Sequence, residues 1–470
     1  VRDGSPLDLI ERSGSALLEG WSDSGRWTVI LPEPAEEFKV SWGDEERLEG
    51  FLRECLSQVR PADVPAEIPF AGGWVGFLSY ELGASWEGAA PREERPAEPA
   101  ALFYRHDGGI AISPKGETVQ FGDQASLPAG ARSGATSHFS PGRAVRRDLA
   151  EAKNRRGAAD KGAIVSVAAP FATDEHQGAR SVEPPRAGPN VGDSLGEESY
   201  VRAHEAIRQG IARGDYYQVN LTRRFRAAVS RQPDPRNLFT ALAGEVAPPY
   251  SALIRGGGFD ILSVSPELFL RADFVSREVE MRPIKGTAPR FADPVRDRAS
   301  AEALIHSTKD RAENVMIVDL CRNDLGKVCE PGSVRVSGLC GLASHRVHHL
   351  ESMIRGRLKK DASPADLLRA TFPPGSVTGA PKRAAVSAIR DLEPVPRGVY
   401  TGAIGFLDCR GRLAFNVAIR TAISTDREVR YHAGGGIVWD SVAEKEREEG
   451  NLKAQEFFSL LGEQREDVSA

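Results

Sequence analysis

The chain has 470 residues, is 40% hydrophobic and 27% charged, and carries a formal net charge of −5. That length suits two or three domains of roughly 150 residues each with a sizeable buried core, and the charge balance excludes a nucleic-acid footprint or an acidic tail. No apolar run approaches the roughly 18 residues of a membrane span and no leader pattern opens the chain, so membrane, collagen, coiled-coil and repeat classes are excluded as well. Only 12 of the 61 basic residues are lysines. A coding bias toward arginine explains this simply; the sharper reading is that a retained lysine is needed as an amine, since arginine cannot be deprotonated. Cys55, Cys321, Cys329, Cys340 and Cys409 are odd in number and lack Cys-x-x-Cys spacing. They read as reduced thiols of a cytoplasmic protein, without a zinc site or disulfide framework.

Three stretches follow one another. Residues 1–125 read as globular, with strands at Trp27–Leu31 and Ala101–Tyr104 and a helix from Glu45 to Val59 that puts Leu48, Phe51, Leu52, Cys55 and Leu56 on one face. Residues 126–196 turn rich in Ala, Gly, Arg, Pro and Ser and read as a weakly structured linker. From 197 to 470 apolar patterning returns. A helix is expected over Glu198–Arg213, closed by Gly214, and strands at Gln218–Thr222 and Phe259–Val264. One long helix is expected from about Arg298 to Leu325, stopped at Gly326, then strands at Gly402–Leu407, Ala414–Arg420 and Val429–His432. Helices segregated from antiparallel-type strands indicate an α+β fold.

Four strings can carry chemistry. Gly434, Gly435 and Gly436 precede Ser441-x-x-Glu444, a capping-box pattern, and on the helix it opens Glu446, Glu449 and Lys453 share a face. Carboxylates one turn apart suit Mg²⁺; a solvated face of paired Glu and Lys is the plain alternative. Glu313 flanks an apolar helical stripe, where a half-solvated carboxylate is equally ordinary. Pro374-Gly-Ser376-Val-Thr378-Gly379-Ala-Pro381-Lys382 brings hydroxyls and glycine backbone to the start of a helix running to about Leu392, an anion-binding arrangement or an ordinary cap. Lys285 stands in a Pro/Gly turn between Arg282 and Arg290, where like charge and burial would lower its pKa, although turn lysines are commonly solvated.

Together these strings resemble the chorismate-utilising family of anthranilate, aminodeoxychorismate, isochorismate and salicylate synthases. The matching segments are Ser265-Pro-Glu267, Pro283-Ile-Lys-Gly-Thr287, Asp310-Arg-Ala-Glu-Asn314 through Asp324, His348-His-Leu-Glu351, Pro374–Lys382, Ala418-Ile-Arg420 and Ala433–Val438. The resemblance implies a large antiparallel β-sandwich core flanked by helices. Within the family, Pro-Ile-Lys-Gly-Thr is similar to component I of aminodeoxychorismate synthase, of p-aminobenzoate and folate synthesis, where anthranilate synthases carry Ala in place of Lys. The resemblance implies roles for single residues: Lys285 as nucleophile, Glu267 as general acid, and Glu313, Glu446 and Glu449 as Mg²⁺ ligands. It further implies substrate contacts from Arg420, Lys453, His349, Ser376, Thr378, Gly379 and Gly434–Gly436.

The substrates implied are chorismate and ammonia. Cys340 lies in Gly338-Leu-Cys-Gly-Leu342, which lacks the last glycine of a glutaminase elbow, so the glutamine amidotransferase is expected to be a separate subunit. Ser13–Glu19 is similar to a segment that binds tryptophan in relatives, without its closing serine. Two departures stand out: Ala443 replaces a usual proline, and Gly450 within a helix costs about 1 kcal/mol relative to alanine. Anthranilate synthesis, or a non-catalytic regulator binding chorismate or tryptophan, are the alternative readings.

Overall fold

The computed structural model describes residues 6–56, 64–122, 191–244 and 247–466. The stretch read as a linker lies outside them from 126 to 190. Its last residues are described, and Val191–Asp193 is a strand.

Among the described residues, two antiparallel sheets of 11 and 10 strands form the centre. The first runs Gly379–Ala380, Gln218–Ala228, Glu428–Ile437, Thr421–Ser424, Asp260–Ser265, Tyr250–Arg255, Ala16–Gly20, Trp27–Leu31, Gly108–Ile112 and Thr118–Gly122, with Val191–Asp193 beside Gln218–Ala228. The second runs Ile284–Pro289, Val347–Arg357, Glu278–Arg282, Leu268–Asp273, Arg412–Val417, Ala403–Asp408, Gly73–Leu78, Ala101–His106 and Glu36–Val40, with Arg335–Ser344 also paired to Val347–Arg357. Strands from both ends of the chain share each sheet. Ala16–Gly20 pairs Trp27–Leu31 on one side and Tyr250–Arg255 on the other.

The two-residue period of a strand explains the layering. Ala16, Leu18, Ala252, Ile254 and Ile261 point inward and meet Phe77, Leu102, Ile404 and Phe406 of the facing sheet. Their neighbours Leu17, Leu253 and Leu262 point outward and are covered by helices. Both faces of the sheet are therefore apolar, so these strands read as near-continuous hydrophobic runs.

Helices coat the sandwich. These are α1 (Glu45–Glu54), α2 (Tyr80–Trp86), α3 (Glu197–Arg213), α4 (Pro235–Ala243), α5 (Pro294–His306), α6 (Thr308–Val328), α7 (Pro364–Thr371), α8 (Lys382–Leu392) and α9 (Ala443–Glu466). Helices α1, α6 and α7 cover the second sheet through Leu48, Ile317, Leu325 and Leu368; α4 and α9 cover the first through Leu238, Phe239, Phe457 and Leu461. Gly214 closes α3 at φ 81°, as expected. None of the helices is long and apolar enough to cross a membrane.

The expected single helix over Arg298–Leu325 is two. Ser307 takes an extended conformation (φ −65°, ψ 111°) and its hydroxyl accepts the N–H of Asp310, capping α6 afresh. Gly326 does not stop α6, because Leu325 and Val328 continue its buried stripe to Val328. Pro381 caps α8 from just outside its first residue. The Ser441–Glu444 capping box does not form: the Ser441 hydroxyl accepts from Val438 N–H and donates to Glu446.

Candidate active site

The Ile284–Pro289 strand pairs with Val347–Arg357 so that Ile284 faces Glu351, Lys285 faces Leu350, and Thr287 faces His349, with a shift of register at Gly286. Gly286 has φ 78°, and a Cβ there would stand 2.9 Å from the Asp310 Cβ. Glycine thus lets α6 close on the strand, and Glu313, one turn beyond Asp310, comes within electrostatic reach of Lys285. The Lys285 amine has no hydrogen bond or ion-pair partner among the described residues. Burial lowers its pKa below 10.5, against the opposing pull of Glu313 and Glu267.

Glu267 ends the turn after Asp260–Ser265 and is 3% exposed. The Ser265 hydroxyl donates to Val417 O at 2.7 Å and Val417 N–H donates to Glu267 O at 3.0 Å, fixing the turn. The carboxylate accepts the Ile284 N–H at 3.3 Å and the Ser376 hydroxyl. Burial raises its pKa to about 7, although Ser376 and Lys285 favour the charged form. An acid poised near neutrality therefore sits beside an unpaired amine.

His349 lies on the same wall. Its Nδ1 is 3.2 Å from the Thr287 hydroxyl, and burial, then the Arg420 charge, push its pKa down to about 4, so the ring is neutral at neutral pH. Arg420 has φ 52°, and its guanidinium has no bonding partner among the described residues. A half-buried, unpaired arginine held in a strained backbone is well placed for a carboxylate.

Gly434, Gly435 and Gly436 lie within the Glu428–Ile437 strand, paired to Thr222, Leu221 and Asn220. A Cβ on Gly435 would stand 3.1 Å from Glu446 Oε2, so the glycine admits that side chain from α9. The Lys453 amine donates to Gly434 O at 3.1 Å and pairs with Glu449 at 2.7 Å. Lys309 stands 3.9 Å from Glu313. Burial raises the pKa of Glu313 and Glu446 and each carboxylate raises the other or a neighbour, whereas Lys453 holds Glu449 below the usual value.

Among the described residues, no three His, Cys, Asp or Glu side chains close into a metal cage. The donor chemistry of Glu313, Glu446 and Glu449 nevertheless fits Mg²⁺, which takes hard oxygens and holds to one or two carboxylates while keeping several waters. A cation there would also offset the burial and the lesser carboxylate repulsion that raise Glu313 and Glu446.

The Pro374–Lys382 loop divides. Ser376 faces Glu267, but Thr378 is fully buried and its hydroxyl donates to Pro374 O and Gly375 O, shaping the loop from beneath. Gly379, at φ 139°, packs on Gln218 O. Lys382 is not part of an anion site: it is buried, pairs with Asp324 at 2.6 Å and donates to Thr371 O.

Two features went unread in the sequence. Arg397 is buried with all five N–H groups bonded, to Glu393 twice, Val377 O, Asn220 O and Thr401 Oγ1. Glu393 in turn accepts the Thr222 N–H and hydroxyl, so this pair ties the loop to the strand behind the glycines. Gln218 is buried with neither side-chain amide atom bonded, against Gly436. A lone Arg or Gln offers no pattern to read. A separate cavity of about 440 Å³, lined by Trp21, Ile68, Arg271, Glu280 and Phe406, contains none of the predicted residues; the chemistry, not the volume, locates the site. Beside it Trp21 follows the Ser13–Glu19 segment, its indole N–H bonded to Ser251 O.

The family of chorismate binding enzymes matches residues 20–459, every predicted residue included. The chain belongs to that family. Component 1 of aminodeoxychorismate synthase from Salmonella typhimurium is 44% identical over 251 residues, 53% of this chain and 54% of that protein. Aminodeoxychorismate synthase of Streptomyces griseus is 35% identical over 87% of the chain and 53% of that protein. The chain thus spans about half the length of these curated relatives. Anthranilate synthase component 1 of Saccharolobus solfataricus is 40% identical over 98% of the chain and 95% of that protein. Among solved structures, anthranilate synthase component I of Streptococcus pneumoniae superposes with TM-score 0.69 at 25% identity, covering 93% of each chain. Both sheets and their flanking helices are those of the chorismate-binding fold.

Proposed function

We propose that the chain converts chorismate and ammonia to 4-amino-4-deoxychorismate, as component I of an aminodeoxychorismate synthase whose ammonia comes from a separate glutamine amidotransferase subunit. The observation that carries this reading is the unpartnered Lys285 amine beside Glu267, whose pKa is raised to about 7.

The neutral Lys285 amine attacks ring carbon C2, the two ring double bonds shift, and the C4–oxygen bond breaks. Glu267 delivers its proton to that oxygen, which leaves as water. Ammonia then adds at C4, the double bonds shift back, and the lysine amine is expelled. Arg420 receives a substrate carboxylate, with Lys453 exchanging its Gly434 contact for the other; Ser376, Gly379 and the glycine strand bound the ring beside neutral His349. Magnesium held by Glu313, Glu446 and Glu449 would neutralise the ring carboxylate.

Chorismate without ammonium should leave an adduct of chorismate less water on the peptide containing Lys285, seen by mass spectrometry. Lys285→Ala should show no adduct and lose aminodeoxychorismate formation; an unchanged rate would remove the nucleophile role. Anthranilate synthesis is the second reading, favoured by the near full-length match to the Saccharolobus solfataricus protein.

A further inference from the structure

Gly450 stands inside the continuous helix that carries Glu446 and Glu449, and Asn451 follows it; the substrate site explains neither. The structure sets a buried arginine against both. Arg223 lies on the Gln218–Ala228 strand opposite Ala433, next to the pairing of Thr222 with Gly434. It is 1% exposed. Its Nη1 pairs with Asp193 at 2.7 Å, while Nη2 donates to Arg447 O at 2.7 Å and to Asn451 Oδ1 at 2.9 Å. The rings of Tyr200 and Phe225 flank the guanidinium, 5.2 and 4.9 Å away.

A buried guanidinium is tolerated only where acceptors await it. Two of the three here belong to a single turn of α9, the turn that contains Glu449 and begins one residue after Glu446. A Cβ on residue 450 would stand 2.8 Å from Nη2, so glycine makes the room. Any larger residue there would force the guanidinium or the helix to shift. Lys453, one turn on, ties the same helix to Gly434 O at 3.1 Å. The helix is thus fastened to the first sheet on both sides of Glu449.

We propose that Arg223 is a positioning residue which, seated in the Gly450 notch and anchored by Asp193, holds α9 so that Glu446 and Glu449 face the site. This rests on reading those glutamates as divalent-cation ligands. It also explains why a poor helix former stands in mid-helix, and gives Asp193, ahead of α3, a part in the site.

The test is Mn²⁺ affinity, followed as loss of the free-ion electron paramagnetic resonance signal without substrate, alongside thermal melts. Gly450→Ala keeps every charge and improves helix propensity, so propensity alone predicts a higher Tm and unaltered Mn²⁺ binding. The proposal predicts instead that Gly450→Ala and Arg223→Met each weaken Mn²⁺ binding about 10–100-fold, as loss of an outer support does at metal sites. The double variant should bind no more weakly than Arg223→Met, since one contact is lost in both. Unchanged affinity in Gly450→Ala overturns the proposal, and that variant decides alone if Arg223→Met does not melt cooperatively. Wild-type protein that fails to bind Mn²⁺ at all would instead remove the metal reading, and the proposal with it.

Discussion

Lys285 and Glu267 ask opposite things of pH. Glu267 must hold its proton to release the C4 oxygen, and its pKa stands at about 7; Lys285 must lose its proton to attack, and burial lowers its pKa. Turnover should therefore follow a bell-shaped pH profile, rising where the amine is freed and falling where the carboxyl has lost its proton. Glu267→Gln should abolish the alkaline fall and cut kcat on the order of 10²–10⁴-fold. A pH–rate profile in which the variant keeps that limb would assign it to another group. Lys285 was legible in its Pro/Gly-rich string, whereas Glu267 was legible only through the resemblance that Ser265-Pro-Glu267 helps to carry. Thr378 and Lys382 stood in an equally distinctive string, yet the Thr378 hydroxyl bonds the loop itself and the Lys382 amine bonds α6 and the end of α7. Which atom of a motif faces the substrate is set by packing from beneath, and no spacing rule records it.

At the scale of elements, the break between α5 and α6 was available in Ser307-x-x-Asp310, a cap pattern masked by an apolar stripe that continues past it. The Arg397–Glu393 pair was not available, since it joins α8's end, the hydroxyl loop and the strand behind the glycines only once all are folded. Five bonded N–H groups make it a fully satisfied buried ion pair, so breaking one partner should cost far more than replacing both. Arg397→Met alone is expected to destabilise the protein by about 3–5 kcal/mol, and Glu393→Leu/Arg397→Met to recover most of that loss. Urea denaturation measures both. Equal losses in the single and double variants would show that the pair's individual hydrogen bonds, not its unmatched charge, dominate.

Among the described residues the molecule is one shared sandwich, in which strands from the first 122 residues fill one end of each sheet and strands from 191 onward fill the rest. The sequence showed two patterned stretches and most of their strands, but not that the stretches share both sheets, because antiparallel partners far apart in the chain carry no mutual mark. Burial on that scale has a consequence for stability. His106 and His349 have pKa values lowered to about 4 and His432 lies well below 6.5, so all three are folded neutral. Their contribution is complete above 6.5 and is lost as pH falls toward 4. Glu267 and Glu81, raised to about 7 and about 6, act oppositely, adding stability as they protonate down to 4.5. Each of the three histidines therefore contributes a loss of at most about 1.4 kcal/mol per pH unit as pH falls from 6.5 toward 4, and the buried carboxyls with raised pKa work against it. Ring-proton NMR shifts of the three histidines should stay those of neutral imidazole from pH 7 to 5.5; titration near 6.5 would mean that they are not held neutral.

The claim on which the rest depends is the fate of the amino group. Incubation of the protein with chorismate, Mg²⁺ and ammonium, with products resolved by mass and fluorescence, tests it directly. The expected product is non-fluorescent 4-amino-4-deoxychorismate, which disappears with Lys285→Ala. Direct formation of fluorescent anthranilate, undiminished in that variant, would contradict it.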